Sequence, residues 1–352
     1  MKIKYWQWWL LVILNIFFLL AGQTAAIILG RFYYEQGGNS KWLSTLIQTA
    51  AFPLLFLPLF LLPSNTMNTT ITNVTTSPRP SYLKLAIIYT ALGLIIACDN
   101  LMYSYGLLYL PVSTYSLICA SQLAFNALFA YFLNSQKFTP LILNSVILLT
   151  FSSALLGVDD DSSGDSASIP RGKYLLGFLL TLGASATYSL ILSLMQLTFQ
   201  KVIKKETFVV VLEMQIFTAL VASVASVVGL FASGEWKSLG GEFHGFAKGK
   251  VSYVMTILGV GVSWQVASVG VVGLIFVVSS LFSNAISTLA LPVAPIFAVI
   301  FFHDKMDGVK VLAMLIAIWG FASYLYQNYL DDLMSRKAII DGREEPATSI
   351  GT

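Results

Sequence analysis

Residues 251–302 carry no Asp, Glu, Lys or Arg. A membrane-spanning helix needs roughly 20 apolar residues, so this one stretch can hold two spans back to back. Nothing comparable fits a soluble domain, where about a quarter of residues are charged. Across all 352 residues, 57% are apolar, 11% are charged and the mean hydropathy is +0.77. The expected fold class is an all-α polytopic membrane protein. Apolar segments give ten spans, approximately 5–29, 43–62, 83–107, 112–133, 139–158, 172–198, 207–231, 251–275, 279–302 and 309–329.

The remaining segments set orientation and exclude several functions. Tyr5 to Leu29 is too long for the apolar core of a signal peptide, and Trp6, Trp8 and Trp9 beside Lys2 and Lys4 suit an interfacial anchor. Ten spans put both termini on one side. With that side cytosolic, eleven of the twenty Lys and Arg residues lie inside, in keeping with the positive-inside rule. The loop 63–80 is then cytosolic, leaving the sequons at Asn68 and Asn73 unused. The segment 159–171, with Asp159, Asp160 and Asp161, becomes an acidic external linker, and 331–352 a cytosolic tail. No basic run exceeds two residues, which offers nothing to nucleic acid. Cys98 and Cys119 lie in apolar segments as buried thiols. No phosphate loop, nucleophile elbow or metal-ligand cluster appears, so neither an enzyme nor ATP-driven transport is indicated.

The halves 1–158 and 172–330 resemble each other. At a shift of 168, residues 127–139 fall on 295–307: Phe129-Ala130 meets Phe297-Ala298, and Lys137 meets Lys305. Gly106 and Gly273 both precede the turn between paired spans. That repeat places the turn inside the charge-free stretch near Phe276-Val277. Five spans per half make the second half upside down. Two inverted five-helix repeats with a midplane site between them form a transporter architecture.

The site candidates follow from polarity. Tyr115, Cys119, Gln122, Asn126 and Phe129 recur at helical spacing and share one face. Asp99, Asn100 and Tyr103 sit on the preceding span. Polar groups in hydrocarbon must face protein or a water-filled cavity. Asp99 and Glu213 are the carboxyls within spans, with no basic residue well inside a span to pair with. A carboxyl withdrawn from water favours its neutral form, which is a physical basis for proton coupling; the plainer reading is a structural carboxyl. The amides Gln23, Gln48, Asn100, Gln122, Asn126, Gln215, Gln265 and Asn284 can each donate and accept, as an adenine-like edge requires. Tyr103, Tyr115 and Trp264 can stack on a flat heterocycle. For any single amide, interhelical bonding is the plainer role. Gln122 and Asn126 correspond to Ala290 and Ala294, so recognition leans on the first half, with Pro292 and Pro295 kinking the ninth span.

Five separated stretches carry a family resemblance: KWLSTLIQTAAFPLL (41–55), YLPVSTYSLICASQLAFNALFAYFLNSQKFTPLILNS (109–145), LEMQIF (212–217), SSLFSNAISTLALP (279–292) and FFHDKMDGVKVLAMLIAIWGFASYLYQNYLDD (301–332). Together they resemble the plant purine permeases of the drug/metabolite transporter superfamily. The resemblance implies a ten-helix, proton-coupled importer of adenine-type purines, cytokinins and related heterocycles. It implies no cofactor beyond the proton, a small-molecule partner, and a monomer or weak homodimer in the plasma membrane or an internal one. Two rivals stay open. One is a related carrier for a nucleoside, alkaloid or vitamin-like heterocycle; the other is a membrane receptor that binds cytokinin without moving it. A nucleotide-sugar carrier would need cavity cations.

Overall fold

The computed structural model describes residues 5–57, 82–134, 139–158, 170–203, 208–277, 286–288, 296–303 and 306–344. All regular structure among them is helical, because a segment without water must satisfy its own backbone groups. In chain order the helices are α1 (Tyr5–Glu35), α2 (Lys41–Ala50), α3 (Tyr82–Tyr109), α4 (Val112–Cys119), α5 (Gln122–Asn134), α6 (Pro140–Val158), α7 (Arg171–Leu197), α8 (Phe208–Ala232), α9 (Leu239–Gly245), α10 (Lys250–Val277) and α11 (Gly308–Glu344). Among the described residues, seven helical runs are long and apolar enough to cross a membrane, and Pro140–Ser152 is a shorter apolar one.

The bundle is built from close helix pairs. α1 lies along α10, and glycine sets their approach: a Cβ at Gly22 would stand 2.7 Å from the Ala267 nitrogen, and one at Gly270 2.6 Å from the Leu19 nitrogen. Small residues let backbones meet in this way. α3 packs on α7 and α8, α2 on α8 and α10, α5 on α7, and α6 on α11. Polar side chains tie several pairs together. Ser223 donates to Thr49 at 2.9 Å, Asn144 to Ser323 at 3.1 Å, and Ser152 to the Ala313 carbonyl at 2.8 Å.

Several expectations need correction. α1 runs on to Glu35, so Arg31 is helical rather than beyond the first span. Its Nη1 donates to the carbonyls of Leu107 (2.9 Å), Leu108 (3.4 Å) and Leu110 (3.1 Å), and its Nε to Glu35 (3.0 Å). These are carbonyls that the end of α3 leaves without partners, which explains why the cation is stable there.

The second span stops being α-helical at Ala50 and tightens into a 3₁₀ turn over Phe52–Leu55, where Pro53 removes a donor. Residues 58–81, including both sequons, lie outside the described residues. The fourth span is two helices, broken at Ala120-Ser121. Between the seventh and eighth spans the chain folds a 3₁₀ turn, Glu235–Lys237, and the short helix α9. α11 continues to Glu344, so the stretch read as a polar tail begins as helix. Of the ninth span only 286–288 and 296–302 are described. The expected kinks at Pro292 and Pro295, like Asn284, lie outside the described residues.

Candidate functional site

The broken fourth span is the centre of the molecule. Residues 110–124 are all buried, whereas most of the long helices show an exposed apolar face. At the break the helical ladder tightens: Ala120 N–H reaches both the Ser116 and Leu117 carbonyls at 3.2 Å, and Ser121 N–H reaches Ile118 at 3.0 Å. Such three-residue bonds keep the backbone satisfied while redirecting the helix. Tyr115 and Cys119 thus end one helix and Gln122 begins the next.

Asp99 faces this break from α3. It is 2% exposed, and its Oδ1 is buried without a hydrogen-bond partner. Tyr103, Tyr115, Cys119 and Tyr188 all lie within electrostatic reach of it. The Tyr103 and Tyr115 rings meet edge to face, 6.0 Å apart at 73°. This is one carboxyl in a wall of aromatic rings. Among the described residues the ion pairs are Arg31–Glu35 and Lys41–Glu235, neither involving Asp99.

The amides divide into two groups. Gln23 and Gln122 are buried and converge on consecutive residues of the 286–288 segment. Ser287 Oγ donates to Gln23 Oε1 at 3.1 Å, and Gln122 Nε2 donates to Thr288 Oγ1 at 3.4 Å. Ser189 of α7 donates to the Gln122 carbonyl at 2.6 Å. Tyr188 interacts with both Ser287 and Asp99, which joins the carboxyl to this polar group.

The other amides are engaged elsewhere or stand apart. Gln48 Nε2 bonds Ser104 Oγ at 3.2 Å and the Asn100 carbonyl at 3.5 Å, which holds α2 against α3. Asn126 Nδ2 reaches the Tyr324 hydroxyl of α11 at 3.3 Å. Both make the interhelical bonds that membrane amides commonly make. Gln215 has a buried Oε1 without a hydrogen-bond partner, and Trp264 is half-buried on α10. Glu213 is exposed on α8 beside the stacked pair Tyr89 and Phe217, so it does not join Asp99.

Tyr188, Ser189, Ser287 and Thr288 were missed by the sequence reading. Hydroxyls are too frequent in membrane helices to stand out by composition. The adjacency of Ser287 and Thr288 becomes meaningful only once Gln23 and Gln122 are seen to reach them.

A second polar group closes one end of the bundle, which we call the rim. Tyr33 donates its hydroxyl to Glu242 Oε2 at 2.6 Å, and the Ala247 N–H meets the Gln36 carbonyl at 2.9 Å. Burial alone would raise the Glu235 carboxyl, but hydrogen bonds from Trp42 N–H, Ser40 and Lys41, with the Lys41 charge, hold it below its ordinary value. Burial likewise works against the charge of Lys41, and Glu235 outweighs it, leaving the ammonium above its ordinary value. A cleft of about 360 Å³ opens here between Gly37, Lys41, Glu235 and Glu242. None of the candidate recognition residues lines it, so it is not the site built around Asp99.

The family model for purine nucleobase transmembrane transport matches residues 10–334. The chain is 61% identical over 350 residues to Probable purine permease 11 of Arabidopsis thaliana, covering 98% of this chain and 90% of that protein. It is 55% identical to Probable purine permease 13 over 341 residues (96% and 91%), and 56% identical to Purine permease 21 over 330 residues (94% and 83%), both from the same plant. These are transporters rather than enzymes, and the apolar helices make this chain a multi-pass integral membrane protein. The chain belongs to the purine nucleobase transmembrane transport family, the purine permeases.

Proposed function

We propose that this chain accumulates purine bases together with a proton by alternating access, with Asp99 carrying the proton and Gln23 and Gln122 reading the base. The observation that carries the reading is the buried Oδ1 of Asp99, which has no hydrogen-bond partner amid Tyr103, Tyr115 and Tyr188. An ionised carboxylate there would be costly without a partner, so the group holds a proton until water reaches it. A base near pH 7 is neutral and gains nothing from the membrane potential, so its accumulation needs a coupled ion. Adenine and adenine-derived cytokinins are the expected substrates, taken up across the plasma membrane. One copy of the chain holds the whole site. Of the carboxyl pair, Asp99 is the better placed; Glu213, on the exposed face of α8, has no route to the base.

The same reading includes two inverted five-helix repeats over 1–158 and 172–330, making ten spans. Exchanging the halves turns α1, α2, α3 and α6 into α7, α8, α10 and α11. The close pairs α1–α10 and α3–α7 then exchange, as do α2–α10 and α3–α8, while α2–α8 and α6–α11 map onto themselves. The glycines fit the exchange as well. A Cβ at Gly106 would strike Thr181 across α3–α7, and one at Gly273 would strike Asn15 across α1–α10. In this arrangement the rim and the 159–171 linker face outward, and the termini face the cytosol.

Purified protein in liposomes, acidic outside, tests the reading with radiolabelled adenine. Accumulation that a protonophore abolishes is the expected result. Binding without accumulation would point to a receptor, and accumulation indifferent to pH and protonophore would remove the proton from the mechanism.

A further inference from the structure

We infer that Arg31 clamps the site shut on its rim side, binding α1 to the α3–α4 hairpin, and that its release opens the site toward the rim. The inference rests on the alternating access proposed above and names a positioning residue for it. α1 follows α10 from the Asn15–Gly273 contact to the Leu29–Gly259 contact. Toward the rim it also meets α3 and α4. A Cβ at Gly30 would stand 2.8 Å from Leu107 Cδ2, and Arg31 donates to the carbonyls of Leu107, Leu108 and Leu110.

One guanidinium thus grips both arms of the hairpin. Leu107 lies one turn past Tyr103 on α3, and Leu110 precedes Pro111, the residue that opens α4. Tyr115 follows Leu110 by five residues, about 7 Å along a helix. The rings of Tyr103 and Tyr115 meet edge to face beside Asp99. What joins the two arms at Arg31 therefore also holds this pair of rings together.

The clamp can open without stranding a charge. Glu35 lies one turn along the same helix, 3.0 Å from Arg31 Nε, so the ion pair travels with α1. The two side chains are 16% and 31% exposed, so water is at hand to take over the freed carbonyls. The Tyr33–Glu242 and Gln36–Ala247 bonds do not cross this seam. They join α1 to α9 and to the segment that leads into α10, and move with that pair.

Cys119 reports the opening, because it is buried beside Tyr115 and Asp99, and Cys98→Ser leaves it the one thiol of the chain. A charged, membrane-impermeant methanethiosulfonate is applied to either face of sealed vesicles holding the full chain. Gly241→Cys, in a chain without native thiols, marks the rim face; it lies on exposed helix where a Cβ meets nothing within 4 Å. Arg31→Met should speed Cys119 labelling from the rim face at least about ten-fold, as loss of a charged hydrogen bond implies, and leave the other face unchanged. Glu35→Gln removes the ion pair but keeps the carbonyl bonds, so it should label as wild type does.

An unchanged rate in Arg31→Met, an equal rise from both faces, or the same rise in Glu35→Gln would overturn the inference. Should Arg31→Met not fold, Gly30→Cys/Leu107→Cys in a chain without native thiols tests the same seam. Oxidation should stop adenine uptake and dithiothreitol restore it; uptake that persists in cross-linked protein overturns the inference. Uptake indifferent to the proton gradient would defeat the proton reading above, and both of these readouts would still stand.

Discussion

Glu235 Oε1 lies 3.1 Å from Lys41 Nζ, and its Oε2 takes hydrogen bonds from Ser40 Oγ at 2.8 Å and from the Trp42 N–H at 3.1 Å. The carboxylate thus sits on the first turn of α2, where free N–H groups and the helix dipole favour negative charge. Its folded value is depressed below the ordinary 4.5, so its stabilisation is full above pH 4.5 and fades as pH falls through the lower, folded value. Lys41 is raised above 10.5, so its share is full below that pH and fades only in stronger alkali. Between these limits the pair is constant. Glu235→Gln should therefore cost about 0.5–1 kcal/mol of thermal stability while uptake keeps the wild-type pH profile between about pH 5 and 7.5. A flattened profile would show that the rim, rather than the buried carboxyl, senses protons.

Arg31 replaces water at the end of α3 by donating to three backbone carbonyls. Hydrogen bonds from a charged donor contribute about 1.5–3 kcal/mol. Arg31→Met should lower the melting temperature in detergent by several degrees. Arg31→Lys should recover only part of that loss, because an ammonium lacks the planar fork that holds Glu35 through Nε while Nη1 caps the carbonyls. Equal melting temperatures for all three proteins would mean that the cap is incidental.

The α1–α10 contact predicts a sharp difference between glycines. Gly270→Val would drive a side chain into the Leu19 backbone, which cannot move aside without parting the helices. It should abolish folded protein in a size-exclusion profile. Gly183→Ala meets its nearest neighbour, the Met102 sulfur, at an ordinary 3.7 Å and should be neutral. A well-folded Gly270→Val protein would contradict the backbone approach described here.

Helices were legible because apolar runs carry their own length: α3 covers Tyr82–Tyr109 where 83–107 was read, whereas Phe276 and Val277, read as a turn, are still helical in α10. Asp99 was legible because a carboxyl inside a span stands out. The break at Ala120-Ser121 was not, since no proline or glycine marks it and the apolar run is continuous. Arg31 misled for the opposite reason. Hydropathy ends a span at a charge, yet the carbonyls of Leu107 and Leu110 make that charge welcome. Asn126 looked like a site residue by spacing and Gln48 by its amide, but neither a helix face nor a residue type fixes what lies opposite. Ser104 and Tyr324 lie opposite.

If the Asp99 proton drives accumulation, removing its titration should uncouple transport from the ion gradient. A potential of 100 mV acting on one proton supplies about 2.3 kcal/mol, nearly fifty-fold accumulation at about 1.4 kcal/mol per tenfold. Asn at this position keeps shape and hydrogen bonding but cannot titrate. Liposomes containing Asp99→Asn protein should exchange internal for external adenine as wild type does, yet fail to concentrate it when a pH gradient and potential are imposed. Concentration of adenine by Asp99→Asn protein to the wild-type level would contradict the account and make this carboxyl structural.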